Sequence, residues 1–232
     1  MKYMGSKNRI AKHILPIMNA ERKPDQWWVE PFVGGGNMID KVQGKRLGGD
    51  ANPFVIDALV SIRDSLLELP RNNSAFTESD YKQLSKKDSY SHKGYAGFAF
   101  SYGGKWLGGW CRDSKGIRDY VQESYKNAVK QSPLLQGVYL VSENYLTLFI
   151  PDNSLIYCDP PYEGTTKYGS KFDHHRFWQW CKAKGQEGHT VYVSEYNAPS
   201  NFVCVWQKEM VSSLTKDTGS KKATEKLFKY NQ

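Results

Sequence analysis

The stretch Ser154-Leu155-Ile156-Tyr157-Cys158-Asp159-Pro160-Pro161-Tyr162 decides how the chain is read. Leu155 to Cys158 form a short apolar run of the kind that fills a buried strand. Two prolines stop it, because a residue without an N–H cannot extend a central strand. An acid is therefore left at the carboxyl end of a buried strand, with an aromatic three residues on and a stiff turn between them. In open α/β sheets that edge is where ligands bind.

Such a turn suits one kind of chemistry. The exocyclic amine of a nucleobase is a poor nucleophile, because its lone pair is delocalised into the ring. A carboxylate and a backbone carbonyl that accept its two N–H bonds favour the pyramidal amine, with the lone pair localised for attack. Prolines hold that carbonyl in place by fixing φ. An aromatic face can then stack a base swung out of its helix. The plainer alternative is a buried acid capping a turn.

A chain of 232 residues fits one large domain, or a core with an insertion. A hydrophobic fraction of 39% with seven tryptophans supports a sizeable core. The formal net charge of +8 and a pI near 9.1 favour a polyanionic partner, although a generically basic soluble protein has the same balance. Cys111, Cys158, Cys181 and Cys204 are far apart and form no C-x-x-C pair, which argues against a zinc module and for reduced thiols. No apolar stretch approaches a membrane span, and Met1 to Lys7 lead into no apolar export core, so the expected location is the cytoplasm.

In chain order, Tyr3-Met4-Gly5-Ser6-Lys7 precedes a helical pattern at Ile10, Ala11, Ile14, Leu15 and Met18. Ser6 is the expected N-cap, and Pro16 should kink or end the helix. Lys7 beside a glycine turn either places a cation near a cofactor carboxylate or is an ordinary solvated lysine. Trp27 to Phe32 reads as a strand running into Val33-Gly34-Gly35-Gly36-Asn37 and a short helix pattern at Met38, Ile39 and Val42, the entrance of a nucleotide-binding βα unit. The third glycine of G-x-G-x-x-G is missing, which weakens a pyrophosphate site. Arg46 to Gly49 reads as a second strand ending on Asp50, fourteen residues after Gly36. That acid is placed either to hold a ribose hydroxyl pair or as a turn residue. Asn52-Pro53 caps a helix that Pro70 should end.

From Arg71 to Gln136 the character changes. Tyr81, Lys82, Lys86, Lys87, Tyr90, His92, Lys93 and Tyr95 lead into Phe98-Ala99-Phe100-Ser101-Tyr102-Gly103-Gly104-Lys105-Trp106-Leu107-Gly108-Gly109-Trp110. Interleaved aromatics, glycines and bases suit a surface that grips phosphates and stacks displaced bases; a glycine-bent hairpin with a solvated basic face is the alternative. A helix is expected from Ile117 to Gln131. Val138 to Ser142 and Thr190 to Ser194 return to strand character, and late strands are expected at Phe202–Trp206 and Leu227–Tyr230. The polar segment with Lys167, Tyr168 and Lys171 reads as a loop closing on substrate. Ser212 to Thr224, with Lys216, Lys221 and Lys222, reads as a phosphate-contacting or disordered loop. Asp173 caps a helix whose His174 and His175 show no metal-ligand spacing, and no metal is expected.

Pro31-Phe32-x-Gly34-x-Gly36, Gly49-Asp50-x-Asn52 and Asp159-Pro160-Pro161-Tyr162 together resemble the motifs of the Dam-like DNA adenine N6-methyltransferases, most closely the small versions carried by bacteriophages. The resemblance covers nearly the whole chain and is weakest from Arg71 to Gly97 and in the tail. It implies an α/β, Rossmann-like S-adenosylmethionine-dependent methyltransferase fold with a mostly parallel sheet. Residues 1–70 and 137–232 would form the catalytic and cofactor-binding domain, and 71–136 an inserted target-recognition region.

The resemblance also implies roles. Tyr3, Lys7, Glu30, Phe32, Gly34, Gly36, Asp50 and Asp159 would contact S-adenosylmethionine. Asp159 and the Pro160 carbonyl would bind the adenine amine, and Tyr162 would stack the flipped ring. Glu195 and Tyr196 would shape the adenine pocket, and Lys105 would belong to an element before target recognition. The implied partner is double-stranded DNA, met by a monomer or weak dimer in the cytoplasm of a bacterium or phage-infected cell. The insertion departs from the better-known members, so no GATC target is implied. An RNA adenine or cytosine N4 as substrate, a catalytically dead DNA-binding relative and a Rossmann dehydrogenase are the rivals. Intact Asp159 and Tyr162 oppose the second of these, and the missing glycine and the proline turn oppose the third.

Overall fold

In the computed structural model, which describes residues 1–86, 90–163, 172–211 and 222–231, one sheet carries the chain. Its strands are β1 (Trp28–Glu30), β2 (Arg46–Gly49), β3 (Val138–Val141), β4 (Leu155–Cys158), β5 (Thr190–Glu195), β6 (Phe202–Val211) and β7 (Lys222–Tyr230). They lie in the order β3-β2-β1-β4-β5-β7-β6. The first five pair in parallel, and β7 runs antiparallel between β5 and β6. This is the Rossmann-like, mostly parallel α/β sheet that was expected. Lys87, Lys167, Tyr168, Lys171, Lys216 and Lys221, to which loop roles were assigned, lie outside the described residues.

A parallel sheet needs cover on both faces, and its central strands are accordingly buried, with charged residues confined to their carboxyl ends in β1 and β5. Every residue of β1 and β4 is buried. Alternation sends Trp28, Leu155, Tyr157 and Tyr192 into one core layer, and Val29, Ile156, Cys158, Val191 and Val193 into the other. The first layer lies under α1 (Asn8–Glu21), α2 (Pro53–Asp64) and the helices of residues 71–136. The second lies under the late helix His174–Gln186, whose Phe177 and Cys181 are fully buried.

The first helix buries Ile10, Ala11, Ile14, Leu15 and Met18, the five positions read from the spacing. Pro16 does not end it. The proline sits on the exposed face, where water can take the Lys12 carbonyl it frees, and the helix continues to Glu21. The N-cap is Lys7 rather than Ser6, whose Oγ accepts the Asn8 N–H at 3.3 Å. Asn52 caps α2 by accepting the Phe54 N–H at 3.0 Å, with Pro53 in the first turn. This helix ends at Asp64, well before Pro70, and a single 3-10 turn fills the gap. The helix expected after the glycine bend is likewise only a 3-10 turn, Ile39–Lys41. Gly44, at φ 83°, already turns the chain into β2, leaving room for no more.

Residues 71–136 supply α3 (Glu78–Leu84), α4 (Lys93–Ala99) and α5 (Tyr120–Leu135), and they share the first core layer. Here the expected nucleic-acid surface is largely interior. Tyr81, Tyr95, Phe98 and Phe100 are buried, Trp106 stacks on Phe54 at 4.2 Å, and Trp110 lies against Phe76, Tyr81 and Phe100. A large ring gains most by leaving water, and helices this short have few other means of anchoring. Tyr102 and Ile117 stay exposed, as do the bases Lys82, Lys86, Lys105 and Arg118.

The seat of α4 on α2 is close. Gly94 donates its N–H to Asp57 Oδ2 at 2.6 Å, and a Cβ there would lie 2.2 Å from the Phe54 carbonyl oxygen. Gly94→Ala is therefore expected to cost about 1–3 kcal/mol, the usual range for overpacking. Thermal unfolding measures this, and an unchanged midpoint would contradict the packing.

Candidate active site

Strand order reverses between β1 and β4, so the crevice at their carboxyl ends is the place such a sheet offers a ligand. The two segments that leave there are the glycine bend and the Asp159 turn.

The bend puts Gly34 and Gly36 in left-handed conformations, at φ 48° and 67°. A Cβ on Gly34 would lie 2.9 Å from the Tyr3 ring, and one on Gly35 2.7 Å from the Tyr3 Cβ, so only glycines let this residue rest on the bend. Asp50, just past β2, accepts the Gly34 N–H at 3.1 Å and the Asn52 N–H at 2.9 Å. Burial pushes its carboxyl up to about 6, and these two bonds pull against that rise. Tyr3, Gly34, Gly36 and Asp50 are thus brought together.

Two other expected cofactor contacts are not part of that group. Glu30 is 2% exposed and accepts the Trp28 indole N–H at 2.7 Å, beneath the crevice floor. Burial drives its carboxyl well above the ordinary range. Phe32 packs with Tyr145, Phe172 and Phe177 in the second core layer, whereas Tyr3 packs with the first.

At the end of β4, Asp159 meets Lys7, with Nζ 3.0 Å from Oδ1. The same ammonium lies 4.3 Å from the Tyr162 ring centroid and 3.8 Å from Glu225 Oε2. Tyr162 donates its hydroxyl to Glu225 Oε2 at 2.8 Å and meets the Tyr196 ring edge-on at 4.7 Å. Glu195 clamps the far end of the turn by accepting the N–H groups of Glu163 at 3.1 Å and Tyr196 at 2.7 Å. Pro160 is buried, and beneath it Tyr157 shares a 2.8 Å hydrogen bond with Ser194. Lys105 stands apart on the exposed turn after Gly104, whose carbonyl accepts the Met4 N–H at 3.1 Å.

Burial lifts the Asp159 carboxyl to about 6, with Lys7 pulling it down and Glu225 pushing it further up. Burial works against the Lys7 charge too, but Asp159 and Glu225 outweigh it and the ammonium's pKa is raised. Glu195 is lifted by burial to about 7. Burial and the neighbouring Asp159 and Glu225 charges keep the Tyr162 phenol protonated, as a donor. The result is a carboxylate that accepts the Lys7 ammonium, beside an aromatic face.

Glu225 escaped the sequence reading. It lies 63 residues after Tyr162, in the part of β7 that precedes the strand expected at Leu227, and no motif marks it. Among the described residues, no group of three or more His, Cys, Asp or Glu side chains could hold a metal ion, and no helix is long and apolar enough to cross a membrane.

Residues 3–98 match the model of the D12 class N6 adenine-specific DNA methyltransferase family. The match takes in Tyr3, Lys7, the glycine bend and Asp50, and stops short of Asp159. No curated protein matches the chain. Among solved structures, the chain is similar to yhhF from Escherichia coli, described as a methyltransferase, at 9% identity over 100% of this chain and 90% of that one, with a TM-score of 0.42. A human methyltransferase 10 domain containing protein gives 7% identity, 100% and 84% coverage and a TM-score of 0.40. SMU.472, described as a methyltransferase complexed with SAH, gives 10% identity, 97% and 53% coverage and a TM-score of 0.36.

The Lys7 pair can be tested by titrating Asp159 through its carboxyl carbon resonance. A midpoint near 6 is expected, moving to higher pH in Lys7→Met, because the ammonium favours the carboxylate form. A midpoint that stays put in the variant would contradict the pair.

Proposed function

We propose that this chain, matched over residues 3–98 by the D12 class N6 adenine-specific DNA methyltransferase family, transfers a methyl group from S-adenosylmethionine to the N6 amine of an adenine flipped out of double-stranded DNA. The match supports reading the chain as a relative of the Dam-like adenine-specific DNA methyltransferases. The observation that carries the rest is the Asp159 turn. A carboxylate oxygen at the carboxyl end of β4 already receives an N–H-bearing group, Lys7 Nζ, at 3.0 Å, beside the face of Tyr162. An adenine amine presented there meets the same acceptor and the same ring.

The residues around the crevice fit the cofactor. Gly34 and Gly35 let Tyr3 rest directly on the bend beside Asp50. Asp50 spends one lone pair of each oxygen on Gly34 and Asn52, and keeps others for a pair of hydroxyl donors. Lys7 offers a cation for a carboxylate. When bound, S-adenosylmethionine supplies a methyl group activated by a positively charged sulfur.

Asp159 and the Pro160 carbonyl take the two N–H bonds of the amine and localise its lone pair towards that methyl group. The buried proline turn fixes the direction of attack, so that amine, methyl and sulfur are held in line. As the N–C bond forms and the C–S bond breaks, the electron pair stays with sulfur. The methylated amine then releases a proton, for which the Asp159 carboxylate, lifted by burial above its ordinary range, is the acceptor at hand. Tyr162 stacks the extruded ring, and Glu195 and Tyr196 close its side. The net charge of +8 draws the chain to the polyanion.

Incubation with radiolabelled S-adenosylmethionine and mixed-sequence duplex DNA, RNA and single strands tests the reading, with label expected in N6-methyladenine of the duplex. Label in RNA or in cytosine would contradict it. Asp159→Ala should lower transfer by at least about a hundredfold while circular dichroism stays unchanged; near-wild-type turnover removes the assigned role. Tyr162→Ala should diminish the fluorescence rise of 2-aminopurine placed at the target position, and an undiminished rise would remove the stacking role.

A further inference from the structure

We propose that Glu225 is a positioning residue of this site, one that sets the plane of the Tyr162 ring on which the target base stacks. The inference rests on the reading above and adds to it a residue that neither the proline turn nor the glycine motif includes.

Tyr162 belongs to an irregular turn, and three described contacts fix its ring. Lys7 covers a face at 4.3 Å, the Tyr196 ring meets it edge-on at 4.7 Å, and Glu225 Oε2 accepts its hydroxyl at 2.8 Å. A base that stacks on the ring competes with Lys7 for space beside it. The contacts at the edge and at the hydroxyl do not compete. Of those two, only the hydrogen bond to Glu225 has a direction that restrains the ring's tilt.

Glu225 is also well mounted. It stands in β7, where it pairs with Lys208 of β6 one residue beyond the end of the β5 ladder, so its backbone is fixed by the sheet rather than by a loop. Register pairs its neighbour Lys226 with Glu195, the residue that clamps the end of the Asp159 turn. One strand pair thus holds both supports of the turn. The carboxylate also lies 3.8 Å from Lys7 Nζ, so an ammonium displaced from Asp159 has a counter-charge within reach.

The test is a double-mutant cycle on methyl transfer to duplex DNA, with the 2-aminopurine signal and cofactor affinity read alongside. Tyr162→Phe and Glu225→Ala are each expected to lower kcat/KM about tenfold, the effect of one lost hydrogen bond, and to weaken the fluorescence rise while cofactor affinity holds. The double variant should lose no more than either single one, and Glu225→Gln, which keeps an acceptor, should recover most of the loss. Additive losses, or a Glu225→Ala enzyme with wild-type kcat/KM, would overturn the proposal. If Glu225→Ala does not fold, Tyr162→Phe decides alone, since it removes the same bond from the turn, and wild-type kcat/KM there would also overturn it. Failure of the broader reading looks different: Asp159→Ala would keep its activity whatever stands at 225.

Discussion

A charged carboxylate at the end of a central strand is costly, and Asp159 is held there by the ammonium of Lys7. Burial alone would favour the neutral acid; the cation 3.0 Å away draws its pKa back to about 6. The pairing has structural reach, because Lys7 begins α1 while Asp159 ends β4. It brings the amino-terminal segment over the crevice, and with it Tyr3, which then needs the glycines at 34 and 35 beneath it. Removing one partner of a fully buried pair costs about 3–5 kcal/mol. This pair keeps some exposure, 10% for Lys7 and 21% for Asp159, so it holds the turn without locking it.

Much of this was legible in the primary structure where the rule is local. The apolar run of β4 and its proline stop, the five inward positions of α1 and the Asn52 cap all follow from spacing and backbone chemistry. Misreadings arose where one residue type serves two ends. Phe98, Phe100, Trp106 and Trp110 have the size and shape for stacking bases, yet the same area drives them inward when short helices must be anchored. Glu30 sits in a motif that resembles a cofactor loop, but residues two apart in a strand share a face, and Trp28 claims its carboxylate first. Glu225 lay beyond reach for another reason. Its partner arrives through antiparallel pairing at the far end of the chain, which no local pattern encodes.

The crevice is assembled from distant parts of the chain. The glycine bend, Asp50 and the Asp159 turn come from strands that end side by side, and the hairpin of β6 and β7 adds Glu225 from the opposite direction. A sheet with a reversed strand next to its parallel half can therefore deliver side chains to one edge from both chain directions. Helix α5 reaches the back of the same bend, where Gln131 Nε2 donates to the Gly35 carbonyl at 3.0 Å and to Asp40 Oδ2 at 3.0 Å.

Gly104 faces the backbone of residues 2 and 3 so closely that a Cβ would come within 2.8 Å of the Tyr3 nitrogen, while Gly34 and Gly35 confine Tyr3 from the other side. The opening segment is thus threaded through a slit whose jaws belong to the glycine bend and to the turn bearing Tyr102 and Lys105. The outward side chains of that turn stand in solvent and can change without touching the fold, whereas a side chain at its inner seat would force the amino-terminal strap off the bend.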